Sequence, residues 1–364
     1  MKRIKNIYPE IYDFENLYKA YLEARKSKRF RSDVLEFTVN LEENLIEIQN
    51  ELIWKTYEVG KYREFYVYEP KKRLIMALPF RDRIVQWAIY RKIFPVFDRQ
   101  FINDSYACRK GKGTHKAADR LQYWLRKVSR KPEKWYYLKL DISKYFYRID
   151  HDILMGLLKK KIADKDLLWL LDKIINSEDM KFGLPLGVDP DQVSDEDRLF
   201  DVGIPIGNLT SQMFANLYLN ELDQYCKHKL KLRYYIRYMD DVIILHSDKK
   251  HLHEVKSEIE KFLNERLRLH LNNKTAIRPI NAGIEFVGFR IWPTHRKLKK
   301  KTALKMKKRI KYIKKAYARG EISFDQVNST MQSYFGIMQH FNSYNLKKKI
   351  LNEFVLKRDT EGYN

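Results

Sequence analysis

Tyr234-Tyr235-Ile236-Arg237-Tyr238-Met239-Asp240-Asp241-Val242-Ile243-Ile244-Leu245 sets two adjacent carboxylates between two apolar runs. The first run is rich in Tyr and the second in β-branched residues, so the stretch reads as a β-hairpin with the acids at its tip. Carboxylates held together at a half-buried turn repel each other and resist desolvation. They need a compensating cation, and hard oxygen ligands point to Mg²⁺. Asp-Asp alone also suits a solvated surface turn, because Asp is common in turns. The strand pattern on both sides favours the metal-binding reading.

A third acid stands in a comparable place. Tyr136-Tyr137-Leu138-Lys139-Leu140 reads as a strand ending at Asp141, followed by Ile142-Ser143-Lys144-Tyr145-Phe146. If that strand lies beside the hairpin, three acids converge, and two divalent ions about 4 Å apart could be clamped between them. In-line phosphoryl transfer needs mainly such positioning and charge compensation.

Size and charge narrow the partners. The chain has 364 residues, 44% of them hydrophobic, enough for two or three subdomains. A net charge of +25 exceeds what solubility needs and points to a polyanion, nucleic acid first and a membrane surface as its rival. The 25 Tyr and 19 Phe add stacking surface. No apolar stretch approaches the roughly 20 residues of a membrane span, and no signal-type segment follows Met1-Lys2-Arg3-Ile4-Lys5, so a cytoplasmic protein is expected. Cys108 and Cys226 suggest neither a zinc site nor a disulfide framework.

Periodicity places the remaining elements. Val34, Phe37, Leu41, Leu45, Ile48 and Leu52 share one face of a predicted helix. Arg63 to Tyr68 and Leu74 to Leu78, joined through Pro70, Lys71, Lys72 and Arg73, predict a basic hairpin, and a helix from Arg81 to Phe94 follows. The segment from Asp104 to Lys116, with Gly111 and Gly113, suits either phosphate or a plain loop. A helix is predicted from His151 to Asn176. An insertion at 176–203 then carries eight acidic residues against Lys181 and Arg198, and reads as a solvated loop. Ser211, Gln212, Phe214, Ala215 and Leu219 lie on a helix expected to pack near the strands. His251 to Arg268 predicts another helix and Ile284 to Ile291 a strand. Near the C-terminus, Ala303, Met306, Ile310, Ile313 and Tyr317 form one face of a helix whose other face is strongly basic. Ser323 and Gln326 suggest a capping box for the next helix, with Phe324, Val327, Met331, Tyr334, Met338 and Phe341 on one side, and a third helix covers Tyr344 to Leu356.

The ordered set of Arg73 to Arg83, Asp141 with Phe146, Gly207 with Ser211, Tyr238 to Asp241, Lys274 and Gly288 resembles a reverse transcriptase, over about Tyr62 to Tyr344. The resemblance implies an α+β, right-hand polymerase fold. Its parts would be a helical N-terminal extension (1–60), fingers with the start of the palm (61–135), an antiparallel palm (136–294) and a helical thumb (295–364). It implies that Asp141 and Asp240 are the principal ligands of two Mg²⁺ ions, with Mn²⁺ as an alternative. Asp241 is then the nearby third acid and the Ile142 carbonyl an extra ligand. Lys72 and Arg73 would hold the deoxynucleoside triphosphate, Phe146 would exclude a ribose 2′-hydroxyl, and Lys274 would lie near the pyrophosphate. Gly288 and Phe289 resemble the primer grip. Lys307, Lys308 and Lys311 would grip an RNA/DNA hybrid from the thumb. The structural alternatives are that Arg73 is a backbone-phosphate contact, Phe146 a core residue and Lys274 a solvated lysine.

Within the bacterial and group II intron-like enzymes, one feature narrows the resemblance further. Where most of the family has Gln before the Gly and Ser-Pro after it, this chain reads Ile206-Gly207-Asn208-Leu209-Thr210-Ser211-Gln212. That pattern, with the stretch from Gly283 to His295, resembles the enzymes of diversity-generating retroelements, which copy a template RNA with frequent errors opposite adenine. The resemblance implies that Ile206 would sit near the templating base and incoming nucleotide, where loss of an amide removes a hydrogen-bonding partner that would help hold correct geometry. The resemblance also implies a pentameric accessory variability protein as partner, for which the acidic insertion is a candidate docking site. No nuclease, integrase or maturase-type extension is visible. Two other readings stay open: a retron-type or anti-phage defence reverse transcriptase, and a non-catalytic RNA-binding protein.

Overall fold

The computed structural model describes residues 3–68, 72–177, 181–185, 187–189, 192–194 and 196–358. Four helices come first, α1 (Tyr8–Tyr12), α2 (Phe14–Ala24), α3 (Ser32–Val39) and α4 (Leu41–Trp54), ahead of an antiparallel hairpin of β1 (Arg63–Val67) and β2 (Arg73–Ala77). All five residues of β1 are exposed, while β2 buries Leu74 and Met76, so the hairpin stands out from the body and is held by its second strand. Its tip, with Pro70 and Lys71, lies outside the described residues. Next come α5 (Phe80–Asp98), α6 (Thr114–Val128), β3 (Tyr136–Asp141), α7 (His151–Lys161), α8 (Lys165–Ile175) and α9 (Leu209–Gln224). The hairpin β4 (Tyr234–Tyr238) and β5 (Asp241–His246) is followed by α10 (Lys249–Leu267), β6 (Ala276–Pro279), β7 (Ile284–Phe286), β8 (Phe289–Ile291) and β9 (Arg296–Leu298). The helices α11 (Lys300–Ala318), α12 (Phe324–Met338) and α13 (Tyr344–Glu353) complete the order.

The central sheet has the order β4-β5-β3-β6, antiparallel throughout. Its two faces feed two cores. Leu138, Leu140, Tyr235, Val242 and Ile244 join the main core with α7, α9 and α10, whereas Tyr137, Tyr234, Ile236, Ile243 and Leu245 join a second core with α6, β7 and β8. Side chains alternate between faces, and burial on both explains why these strands are apolar almost without a break. The expected α+β class is the observed one. A small core of Met306, Ile310, Ile313, Val327, Met331, Met338 and Ile350 holds the three C-terminal helices together. The capping box forms as expected between Ser323 and Gln326.

Several expectations need correction. The helix expected across Val34 to Leu52 is two, broken at Asn40 (φ −114°, ψ 50°). The helix expected from His151 to Asn176 is also two. Asp164 interrupts it by accepting from Asp166 N and Leu167 N, a cap that competes with helix continuation. The strand expected from Ile284 to Ile291 folds back on itself, because Val287 (φ 43°) and Gly288 (φ 89°) make a two-residue turn with both φ positive. Phe324, placed on an apolar face, is exposed. The acidic insertion is not simply a solvated loop, since Phe182, Leu184 and Arg198 are buried. Apolar residues spaced between the acids anchor it. Glu178, Asp179, Asp191 and Asp195 lie outside the described residues.

Candidate active site

The register of the central sheet brings the three acids together at one end of its strands. Asp141, last residue of β3, is the direct partner of Asp241, first residue of β5, and Asp240 lies in the two-residue turn between Tyr238 and Asp241. Directly opposed residues in antiparallel strands lie about 5 Å apart, and like charges there are destabilising. Partial compensation is built in. Lys139 Nζ lies 3.0 Å from Asp241 Oδ1 and donates to Oδ2 at 3.2 Å, while also donating to the Glu285 carbonyl at 2.7 Å. Asn272 Nδ2 donates to Asp141 Oδ2, and Asn272 N donates to the Asp141 carbonyl at 2.9 Å.

One ammonium does not neutralise three carboxylates. Burial pushes the Asp241 carboxyl up to about 6, against the opposing pull of Lys139 and with further upward pressure from Asp240 and Asp141. Burial likewise raises Asp240, aided by Asp141 and opposed by Arg73 and Lys139. Asp241 Oδ1 is buried without a hydrogen bond of good geometry. Raised carboxyls and an all-oxygen donor set fit a hard divalent cation. Among the described residues no three His, Cys, Asp or Glu side chains form a preassembled metal cluster. The side chains of Asp141 and Asp241 are instead turned to Asn272 and Lys139.

The turn is supported from beneath by residues outside the predicted set. Arg237, completely buried, donates from Nε and Nη2 to the two Asp223 carboxylate oxygens at 2.7 Å each. Its Nη1 donates to the Met239 carbonyl at 3.0 Å and to Asn216 Oδ1 at 3.3 Å. Tyr235 donates its hydroxyl to Asp223 Oδ1 at 2.7 Å. The one available signal was an arginine in an otherwise apolar strand. Lys139 carried the same signal.

The remaining predicted residues divide into near and far. Arg73, at the start of β2, is close enough to lower Asp240 electrostatically, and Lys72 Nζ sits 4.5 Å above the Tyr66 ring. Phe146 and Ile206 are half-buried against one apolar cluster of Leu74, Met76, Tyr147, Phe182 and Leu184. Ile206 accepts at its carbonyl from Met76 N at 3.3 Å, which ties its loop to β2. Gly207 has φ +132°, and a Cβ there would meet the Met76 carbonyl at 3.0 Å. Gln212, expected to pack near the strands, instead is exposed and lines a cavity of about 290 Å³ with Gly207, Ile75, Gln86 and Trp87. Ile142 is buried, and Lys274 is exposed with its N–H donating to Asn272 Oδ1 at 2.7 Å. Gly288 sits in the β7–β8 turn and Phe289 is buried beneath it. Lys307, Lys308 and Lys311 are exposed along α11, away from its apolar face. The 104–116 segment is a structural loop: Arg109 binds Asp98 and the Ile102 and Ser105 carbonyls, and Lys112 binds Asn103.

The insertion reaches this neighbourhood too. Phe182 stacks on Tyr147 with ring centroids 4.5 Å apart, Arg198 grips both Glu64 oxygens at 2.9 and 3.0 Å, and Lys144 pairs with Asp189 at 3.0 Å. It therefore braces β1 and the turn after Asp141.

The model of the reverse transcriptase (RNA-dependent DNA polymerase) family matches residues 69–291, a span that contains all three aspartates, β2 and α9. The chain belongs to this family. Reverse transcriptases are RNA-directed DNA polymerases, and their domains generally use divalent metal ions. Protein YkfC of Escherichia coli K12 is 26% identical over 67% of this chain and 70% of its own length. The group II intron-encoded protein LtrA of Lactococcus lactis is 25% identical over 62% of this chain, which spans only 35% of LtrA. A solved apo telomerase from Candida Tropicalis, truncated from its C-terminal domain, is more distant, with 15% identity, a TM-score of 0.46 and coverage of 71% and 60% of the two chains. No helix among the described residues is long and apolar enough to cross a membrane.

Proposed function

We propose that this chain copies a template RNA into cDNA by nucleotidyl transfer at Asp141, Asp240 and Asp241, in the setting of a diversity-generating retroelement. The observation that carries the site assignment is the pairing of Asp141 with Asp241 beside the Asp240 turn. Asp141 and Asp240 would hold two Mg²⁺ ions, with Asp241 and the Ile142 carbonyl close by. When bound, such ions activate the primer hydroxyl and neutralise the leaving pyrophosphate. The chain's own residues do the positioning. Arg73 and Lys72 face the triphosphate from the β1–β2 hairpin, Lys274 approaches it from the β6 side, and Phe146 closes the sugar pocket against a 2′-hydroxyl. Gly288 and Phe289 hold the primer end, and Lys307, Lys308 and Lys311 hold the RNA/DNA hybrid. The first test is dNTP incorporation on a primed RNA template with Mg²⁺. Asp240→Asn should abolish it while leaving template-primer binding intact, and retained incorporation would remove the site assignment.

Inaccurate copying rests on Ile206, which packs against the same cluster as Phe146 and is bonded to β2. An aliphatic side chain there offers no amide to the base pair being formed. Ile206→Gln should lower misincorporation opposite adenine, and an unchanged error spectrum on an adenine-rich template would sink the idea. The partner would be a small basic pentameric accessory protein, for which Glu196 and Asp197 of the insertion remain exposed. Charge reversal at these two positions should weaken co-purification, and undiminished recovery would exclude this docking site.

A further inference from the structure

The catalytic turn is built on a backbone conformation that its sequence does not favour. Met239 has φ +55°, in the left-handed region where a side chain larger than Gly, Asn or Asp is uncommon. A two-residue hairpin normally satisfies this need with Gly or Asn. Here Met occupies the position, and the turn is tied down from below by the Arg237 Nη1 bond to the Met239 carbonyl. Arg237 is itself fixed. Its guanidinium is completely buried and bound to both Asp223 oxygens, and Asp223 and Asn216 belong to α9. The Arg237 main chain is pinned as well, since its N–H donates to the Asp104 carbonyl at 2.9 Å and its carbonyl accepts from Tyr106 N at 3.0 Å.

We infer that Arg237 is a positioning residue that holds the Met239-Asp240 turn in register with Asp141, with Asp223 and Asn216 of α9 as its anchor. This rests on the reading of Asp240 as a metal-holding acid. The guanidinium charge is matched by Asp223, so its effect on the turn is geometric: one hydrogen bond to a carbonyl adjoining the Asp240 peptide. Helix α9 also begins two residues after Gly207, so one rigid helix touches both the loop carrying Ile206 and Gly207 and the anchor of the aspartate turn.

The test separates positioning from folding. Replacing a buried ion pair by apolar residues of similar volume is often neutral or stabilising, whereas removing one partner strands a charge. The double variant Arg237→Met/Asp223→Leu, made in a Tyr235→Phe background because the buried Tyr235 hydroxyl otherwise loses its Asp223 acceptor, should therefore keep its circular dichroism and thermal midpoint but lose the bond to Met239. On a primed RNA template, kcat should fall at least tenfold with dNTP KM within about threefold of wild type, and half-saturating Mg²⁺ should rise, because an ångström of misplacement can cost about a hundredfold in rate. Adding Met239→Gly, which takes the left-handed conformation without cost, should restore part of kcat; a purely structural role predicts no rescue. A folded double variant with wild-type kcat and Mg²⁺ dependence overturns the inference. Should the double variant fail to fold, Arg237→Lys decides, since one ammonium cannot reproduce the fork to Asp223 and the bond to Met239 together: wild-type kcat in that variant is equally fatal. Wild-type incorporation and its loss in Asp240→Asn, measured alongside, show whether the underlying site assignment itself holds.

Discussion

Gly207→Ala puts one methyl group into a tight gap between the loop before α9 and strand β2. Gly207 has φ +132°, and a Cβ would lie 3.0 Å from the Met76 carbonyl and 3.2 Å from Ile75 Cγ2, both in β2. A non-glycine residue in so sparsely populated a region costs about 1–3 kcal/mol. The reduced freedom of the unfolded chain returns about 0.4–1 kcal/mol. The net is a strain of about 1–2 kcal/mol, and relief will come where the structure is softest. On one side is α9, packed into the main core; on the other is the β1–β2 hairpin, exposed along all of β1. The hairpin should move, taking Arg73 away from the Asp240 end of the sheet. If the whole strain appears in the nucleotide complex, dNTP KM rises about 5- to 30-fold, at 1.4 kcal/mol per factor of ten, with a smaller change in kcat. Steady-state dNTP titration on a primed RNA template reads this directly. Gly156→Ala is the control, because it lies in helix α7 with nothing within 4 Å of an added Cβ and should be neutral or slightly stabilising. Gly207→Ala with unchanged KM and thermal midpoint would refute both the strain argument and the proximity of the hairpin to the nucleotide.

Asp164→Ala should destabilise the protein by about 2–4 kcal/mol at neutral pH, measured by urea unfolding, since a helix cap and charge-assisted bonds are lost together. The Asp164 carboxylate accepts from Ile7 N, Tyr8 N, Asp166 N and Leu167 N at 2.7–3.1 Å. Burial alone would raise this carboxyl, but those backbone donors outweigh it and hold it below the ordinary range. A depressed carboxyl stabilises the folded state above its unfolded-state value, so the gap between wild type and variant should persist at neutral pH and narrow as the pH falls below about 4. Replacing Lys307, Lys308 and Lys311 by Ala should flatten the salt dependence of hybrid binding by roughly two to three in the log–log slope, if each neutralises one phosphate. An unaltered slope would place the hybrid elsewhere.

The hairpin at Tyr238 to Asp241 was legible because strand alternation and a charged tip are local properties, and the end of β3 at Asp141 was legible for the same reason. What joined them was not local. The register that sets Asp141 opposite Asp241 depends on β3 pairing with β5 across a hundred residues, and only the ordered motifs of the family suggested it. Breaks in regular structure were missed where one side chain overrules a periodic pattern: Asp164 caps a new helix inside an apolar rhythm that continues across it, and Gly288 reverses a run that reads as one strand. The acidic insertion misled through composition, because its net charge conceals Phe182, Leu184 and Arg198, the residues that seat it. Arg237 is the most instructive case. Four residues before the acidic pair's end it reads as one more basic residue in a chain of net +25, yet burial makes it expensive to keep unless paired. A charge inside an apolar strand therefore asks for a partner that the linear sequence cannot name. Here that partner is Asp223 on α9, and their pairing fixes the turn that carries Asp240.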